Sequence, residues 1–110
     1  PMTAQVIGLA AAVEYLQRLG MDRVQAHEEA LTAHALERPF AVLEKHLAET
    51  PMMVGERFTV ADINVAEIVR YAQGHAPLFG SRPALKAWLE TCQGRPGYQA
   101  MWAKRNAEPA

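Results

Sequence analysis

The run VGERFTVADI, residues 54–63, decides the fold. Thr59 and Asp62 stand three apart, the spacing of a capping box. The Thr59 hydroxyl is placed to accept from the amide of Asp62. The Asp62 carboxylate is placed to accept from the amide of Thr59, an aspartate where glutamate is commoner. Phe58 and Ile63 bracket the box as a hydrophobic staple. Loss of the Thr59 cap is expected to cost about 1 kcal/mol. Val65, Ala66, Ile68, Val69 and Tyr71-Ala72 then make the segment apolar nearly all round, up to Gly74. Such a helix is expected at the centre of its domain.

Reading outward towards the C-terminus, His75 to Arg82 reads as a loop. Pro83 opens a helix with Leu85, Trp88 and Leu89 inward, ending near Gly94. Pro96 opens the last, with Tyr98, Met101 and Trp102 inward. The tail Asn106–Ala110 is expected to fray. Towards the N-terminus, Pro51 to Arg57 is a loop in which Gly55 permits a tight turn. A first helix is predicted from about Thr3 to Leu19, with Thr3 as cap and Gly20 as the left-handed residue past its end. Its stripe of Val6, Leu9, Ala10, Val13 and Leu16, widened by Ile7 and Leu19, reads as a buried helix, too short to span a bilayer. A second starts at Asp22, with Gln25 three residues on as in a capping box. Val24, Leu31, Ala35 and Leu36 give it an alanine-rich stripe, which Phe40, Leu43 and Leu47 continue to about Ala48. Pro39 interrupts, since it lacks an N–H and its ring clashes with the carbonyl of Ala35. The reading is one long helix, kinked there. No alternating β-branched run is bounded by turn dipeptides. The fold class is therefore all-α, a bundle of about five helices in a single domain over 1–110, with 1–38 and 39–110 as its two parts.

Composition narrows the function classes. Half the 110 residues are hydrophobic and 21% charged, which argues against disorder. Eleven Lys+Arg against twelve Asp+Glu give a net charge of -1, without the basic excess of a nucleic-acid binder. The single cysteine excludes an intramolecular disulfide framework and fits a reducing compartment. No apolar run nears the roughly 20 residues of a membrane span, and no signal peptide is visible. The expectation is a soluble, cytoplasmic protein that binds neither nucleic acid nor membrane.

Two family resemblances follow. From about Pro39 to Arg105, the motifs PFAVLEKHLAETPMMVGERFTVADINVAEIVRYAQ and PALKAWLETCQGRPGYQAMWAKR resemble the C-terminal helical domain of glutathione S-transferases. In that family the VGERFTVADI block is the capping box and staple of the central helix, and a PxLxxWxxxCxxRPxY pattern follows downstream. From about Ala4 to Leu36, VIGLAAAVEYLQRLGMDRVQAHEEALTAHALE resembles a helix pair of the pyridoxal-phosphate cysteine desulfurases, with the pattern GLxxAxxYLxxxGMxxxxxHExxLxxxxLE. The two meet near Leu36 to Pro39, so the chain looks like a chimera, natural or engineered. A core accepts apolar residues of about the right volume when the pattern is kept, so the replacement is physically sound.

The resemblances also imply what these residues lack. Glutathione is bound in that family mainly by a thioredoxin-like domain with a catalytic Ser, Tyr or Cys, and nothing in this sequence resembles it. A desulfurase needs a Schiff-base lysine, a cofactor-stacking histidine, a ring-nitrogen aspartate and a mobile cysteine, none of which lies in the borrowed segment. The nearest lysine is Lys45, and pyridoxal phosphate is not expected to bind. No catalytic residue, cofactor or metal is assigned.

Plain structural roles account for most of the remaining single residues. His27 and His34 lie seven apart, about 10.5 Å of helical rise, too far for easy chelation of one ion; they read as surface histidines. His46 and His75 read as exposed or capping. Cys92, near a helix end, reads as a packing residue, with Arg95 slightly favouring its thiolate. Arg57 and Arg70 are candidates to pair with Asp62 or Glu67. Tyr71, Trp88 and Trp102 are candidates for an apolar pocket, or else core. The leading function is a non-catalytic helical domain. The alternatives are a module binding a small hydrophobic ligand or glutathione conjugate, and a homo-oligomer formed through exposed apolar helix faces, the first helix above all.

Overall fold

The computed structural model describes residues 2–108. Six helices occur among them and no strand: α1 Thr3–Leu19, α2 Met21–Glu49, α3 Val60–Arg70, α4 Ala76–Gly80, α5 Pro83–Gln93 and α6 Pro96–Asn106. The all-α class is as the apolar spacing predicts. The chain divides into two compact units, one up to Ala35 and one from Leu36 onward.

In the first unit α1 has the predicted bounds, but its start differs. Met2 occupies the cap position without a side-chain capping bond, and Thr3 is already helical. Gly20 has φ +84°, and its amide donates to the carbonyls of Leu16 and Gln17. The expected box at Asp22 is not formed. Gln25 turns away to donate to Glu29 at 2.9 Å, while the Gly20 carbonyl accepts from Arg23 and Val24. The expectation of a buried first helix is also corrected: α1 contains no buried residue, and Val6, Ile7 and Leu9 are each more than 60% exposed. Apolar spacing sets what a helix can bury, not what is present to cover it.

α2 is a single helix that runs through Pro39. Proline offers no N–H to the Ala35 carbonyl four residues back, so the helix lacks one rung there.

In the second unit the C-terminal part of α2 presents Phe40, Leu43 and Leu47 at spacings of three and four. Phe40 and Leu47 are buried. Phe40 meets Phe79 edge-on, with ring centroids 5.4 Å apart. The segment 75–82 is not the expected loop. Pro77 presets the helical φ in the first turn of α4, and Leu78 and Phe79 bury themselves in the core. The centre is α5 rather than α3: Leu85, Trp88, Leu89 and Cys92 are all buried, and α3, α4 and α6 pack against it. α3 buries Asp62, Ala66 and Val69, while Val60, Ile63 and Ile68 are more than half exposed. α6 contributes no buried residue; Tyr98 and Trp102 are half-buried and Met101 is exposed. The expected fraying of Asn106–Ala110 falls partly outside the described residues.

α5 starts without a cap of its own, since Arg82 makes no capping hydrogen bond. Glu44 on α2 supplies it. Its two carboxylate oxygens accept from the amides of Ala84 at 3.0 Å and Leu85 at 2.7 Å. A negative charge also suits the positive pole of a helix start. Replacing Glu44 with alanine strands two part-buried donors. The expected loss is about 2 kcal/mol, read as a lowered urea midpoint, with glutamine recovering only part of it.

Candidate functional site

The residues able to do chemistry gather around the start of α3. Asp62 is fully buried. Oδ1 accepts from the Met53 amide at 3.0 Å and from the Trp88 indole at 2.9 Å. Oδ2 accepts from the Thr59 amide at 2.9 Å and from its hydroxyl at 3.4 Å. The Thr59 hydroxyl oxygen accepts from the Ala61 amide at 3.3 Å, and the capping box is closed. Burial works to raise the Asp62 pKa, but these donors outweigh it and hold the carboxyl below its ordinary value. Asp62 therefore does more than cap a helix. It ties the loop 50–58, the start of α3 and the middle of α5 to one carboxylate, and it is ionised and fully engaged.

His46 holds the same loop from the other side. Its half-buried Nε2–H donates to the carbonyls of Met52 at 3.2 Å and Met53 at 3.1 Å. Since carbonyls only accept, this contact fixes the tautomer. Met52 and Met53 pack against the core. Gly55, at φ +67°, makes the turn that brings the chain back to Thr59.

Beside this node lies an open cleft of about 690 Å³. Phe58, Ile63, Ala66 and Glu67 form one wall, Cys92 and Arg95 close the end of α5, and Tyr98 and Met101 come from α6. Its volume falls in the range of small-molecule sites. The Arg95 guanidinium lies over the Phe58 ring at 3.7 Å. Arg70 is paired with Glu67 and stacks near Tyr71 at 4.4 Å and Trp102 at 5.2 Å. That ion pair lowers the Glu67 pKa and keeps Arg70 protonated. Arg57 is exposed on the loop.

The three aromatic residues read as pocket candidates do not come together. Trp88 is core, 4% exposed, because its indole is spent on Asp62. Tyr71 is 75% exposed past the end of α3. Trp102 is half-buried on α6, its indole N–H buried without a hydrogen-bond partner. None of them lines this cleft or the smaller hollow of about 240 Å³ beside Phe79 and Leu89. Of the staple pair, Phe58 packs against the core and Ile63 is 55% exposed; both line the cleft.

Cys92 is 5% exposed. Burial pushes its thiol up to about 11, the nearby Asp62 charge adds to this, and Arg95 offsets only part. At neutral pH it is a thiol and a poor nucleophile. Alkylation by iodoacetamide at pH 7.5 is expected to be at least about tenfold slower than for free cysteine, and to accelerate when urea unfolds the chain. Among the described residues no group of three or more His, Cys, Asp or Glu is placed to hold a metal. His27 and His34 are exposed, and His75 is half-buried at the cap position of α4 without a side-chain capping bond. Residues 4–36 contain no lysine, and Lys45 is exposed on α2. No helix among the described residues is long and apolar enough to cross a membrane.

Comparison with known proteins gives two likenesses. Residues 10–96 match the family model described as glutathione S-transferase, C-terminal domain. The chain is similar to Glutathione S-transferase 3 of Zea mays, 36% identical over 70 residues, 61% of this chain and 32% of that protein. It is also similar to a probable cysteine desulfurase of Streptomyces coelicolor, 38% identical over 73 residues, 62% of this chain and 17% of that protein. A shorter match, to probable cysteine desulfurase 2 of Mycobacterium leprae, is 60% identical over 37 residues, 34% of this chain and 9% of that protein. The chain thus spans under a third of the length of these relatives. The family match begins at residue 10, upstream of the Pro39 at which the quoted motifs start. It overlaps the segment that resembles a desulfurase.

Proposed function

The chain belongs to the glutathione S-transferase C-terminal domain family, and from that premise we propose that it is a non-catalytic helical domain. The observation that carries the reading is the state of its reactive groups. The buried carboxylate, Asp62, is ionised with both oxygens taken up by hydrogen bonds, so it has no proton to give and no vacant lone pair aimed at a ligand. The thiol of Cys92 is buried and protonated. These groups hold the fold together. The double likeness supports an origin by joining a desulfurase-type helix pair to a transferase-type helical domain. The test is direct: purified protein is assayed for conjugation of glutathione to an electrophile and for sulfur release from cysteine with pyridoxal phosphate present. Neither turnover nor a Schiff-base absorbance band is expected, and either one above the no-protein rate would overturn the reading.

The cleft favours a second reading, a module that holds a small hydrophobic ligand. It is supported by the volume of about 690 Å³ and by the apolar side chains of Ile63, Ala66 and Met101. Titration with an apolar fluorescent probe is expected to saturate, and Met101→Glu to weaken binding about tenfold while leaving the fold intact. Binding unchanged by that substitution would remove the cleft as the site.

A further inference from the structure

The cleft in the second unit has two walls that do not pack on each other. α3 and α6 each pack against α5, but not against one another. None of the 11 residues of α6 is buried. Two cation–π contacts span the gap instead, one at each end. At the first, the Arg95 guanidinium, at the start of α6, lies 3.7 Å from the centre of the Phe58 ring, just ahead of α3. At the second, the Arg70 guanidinium, in the last turn of α3, lies 5.2 Å from the centre of the Trp102 ring. The cleft residues fall between these points in both segments: Ile63, Ala66 and Glu67 on α3, Gly97, Tyr98 and Met101 on α6.

The second contact is held in place on the α3 side. Glu67 accepts two hydrogen bonds from the Arg70 guanidinium, and the Tyr71 ring lies 4.4 Å from it. The Trp102 indole N–H has no hydrogen-bond partner, so the ring offers its face and not its polar edge. Gly94 and Arg95 alone join α5 to α6, and Gln99 reaches back across this joint to donate to the Gln93 carbonyl at 2.7 Å. A helix that buries no side chain opens at lower cost than the core it leans on. A molecule lodged in the cleft would touch Ile63 and Ala66 on one wall and Met101 on the other. It would supply the apolar contact between α3 and α6 that the chain itself lacks.

We propose that α6 is a flap over the cleft, held shut at both ends by these arginine straps and drawn down by what the cleft holds. Its role as a gate rests on the cleft being a ligand site; its opening does not. Binding and closure are linked, so apparent affinity falls with the fraction of molecules in which the flap is shut. Arg70 and Trp102 line no part of the cleft. They are positioning residues and act on a ligand through α6.

The experiment is amide hydrogen exchange on the full chain across sub-denaturing urea, paired with titration by N-phenylnaphthylamine, an uncharged apolar fluorophore. The α6 amides are expected to exchange at least about tenfold faster than those in the middle of α5, with little dependence on urea, because opening a flap wets little surface. Trp102→Leu removes the ring and keeps an apolar side chain. It is expected to speed α6 exchange and to weaken probe binding, each about three- to tenfold. Trp102→Phe restores a ring face and is expected to behave as the parent does. In both variants Trp88 is the sole tryptophan, and its unchanged emission shows the core intact. Exchange of α6 only in step with α5, with the urea dependence of global unfolding, would overturn the flap whether or not the probe binds. So would a Trp102→Leu protein that opens and binds as the parent does. Local opening of α6 in a parent that does not bind the probe would instead remove the ligand site, and the gate with it.

Discussion

Replacing Asp62 with alanine is expected to cost about 3–5 kcal/mol, enough to leave a large share of the chain unfolded at room temperature. The substitution strands the Met53 amide, the Thr59 amide and the Trp88 indole in a fully buried site. Asparagine keeps the volume but turns an NH2 towards donors, and is expected to recover less than half. Urea unfolding monitored by Trp88 fluorescence measures both. The pH dependence has a fixed sign. Folding lowers the Asp62 pKa from its ordinary value of 3.8, so the native state favours the ionised form. That stabilisation is fully present above the unfolded pKa, and is lost as pH falls through the lower folded pKa. The urea midpoint is therefore expected to drop below about pH 4, and to drop less in Asp62→Asn.

Leu85→Ala is the second large effect, expected at about 3–4 kcal/mol. Leu85 is completely buried on the helix against which the others pack, and its amide donates to the Glu44 carboxylate. Truncation removes transfer energy and leaves a cavity that the fixed start of α5 hinders from collapsing. Ile68→Ala removes a comparable side chain from a position 73% exposed, and is expected to change stability by less than about 0.5 kcal/mol. Equal effects from the two would mean that α5 is not the centre of the unit.

Much of this arrangement is legible in local spacing. Helices α1, α5 and α6 begin and end close to where proline, glycine and apolar periodicity place them, because those signals act within one turn. The Thr59–Asp62 spacing likewise marks the start of α3. The misses are non-local. Nothing beside Glu44 or His46 in sequence shows that one caps a helix about 40 residues away and the other clamps a loop, although the uncapped start at Arg82-Pro83 is a signal that an acceptor must come from elsewhere. Trp88 reads as an inward residue, core or pocket, and it is core; the spacing does not show that its N–H finds a buried carboxylate 26 positions away. α1 reads as buried and α3 as central because apolar periodicity records capacity alone. The span His75 to Arg82 reads as a loop, although its Pro77 also suits a helix start, and two buried neighbours decide between the outcomes.

Residues 2–35 bury no side chain among themselves, and this shapes how the chain responds to heat and denaturant. Both the heat-capacity increment of unfolding and the steepness of a urea transition scale with newly wetted surface. Taken by itself, the first unit adds little to either. A calorimetric trace would then look like that of a smaller protein, with the amino-terminal helix melting gradually beneath the baseline while everything from Leu36 onward gives way in one step.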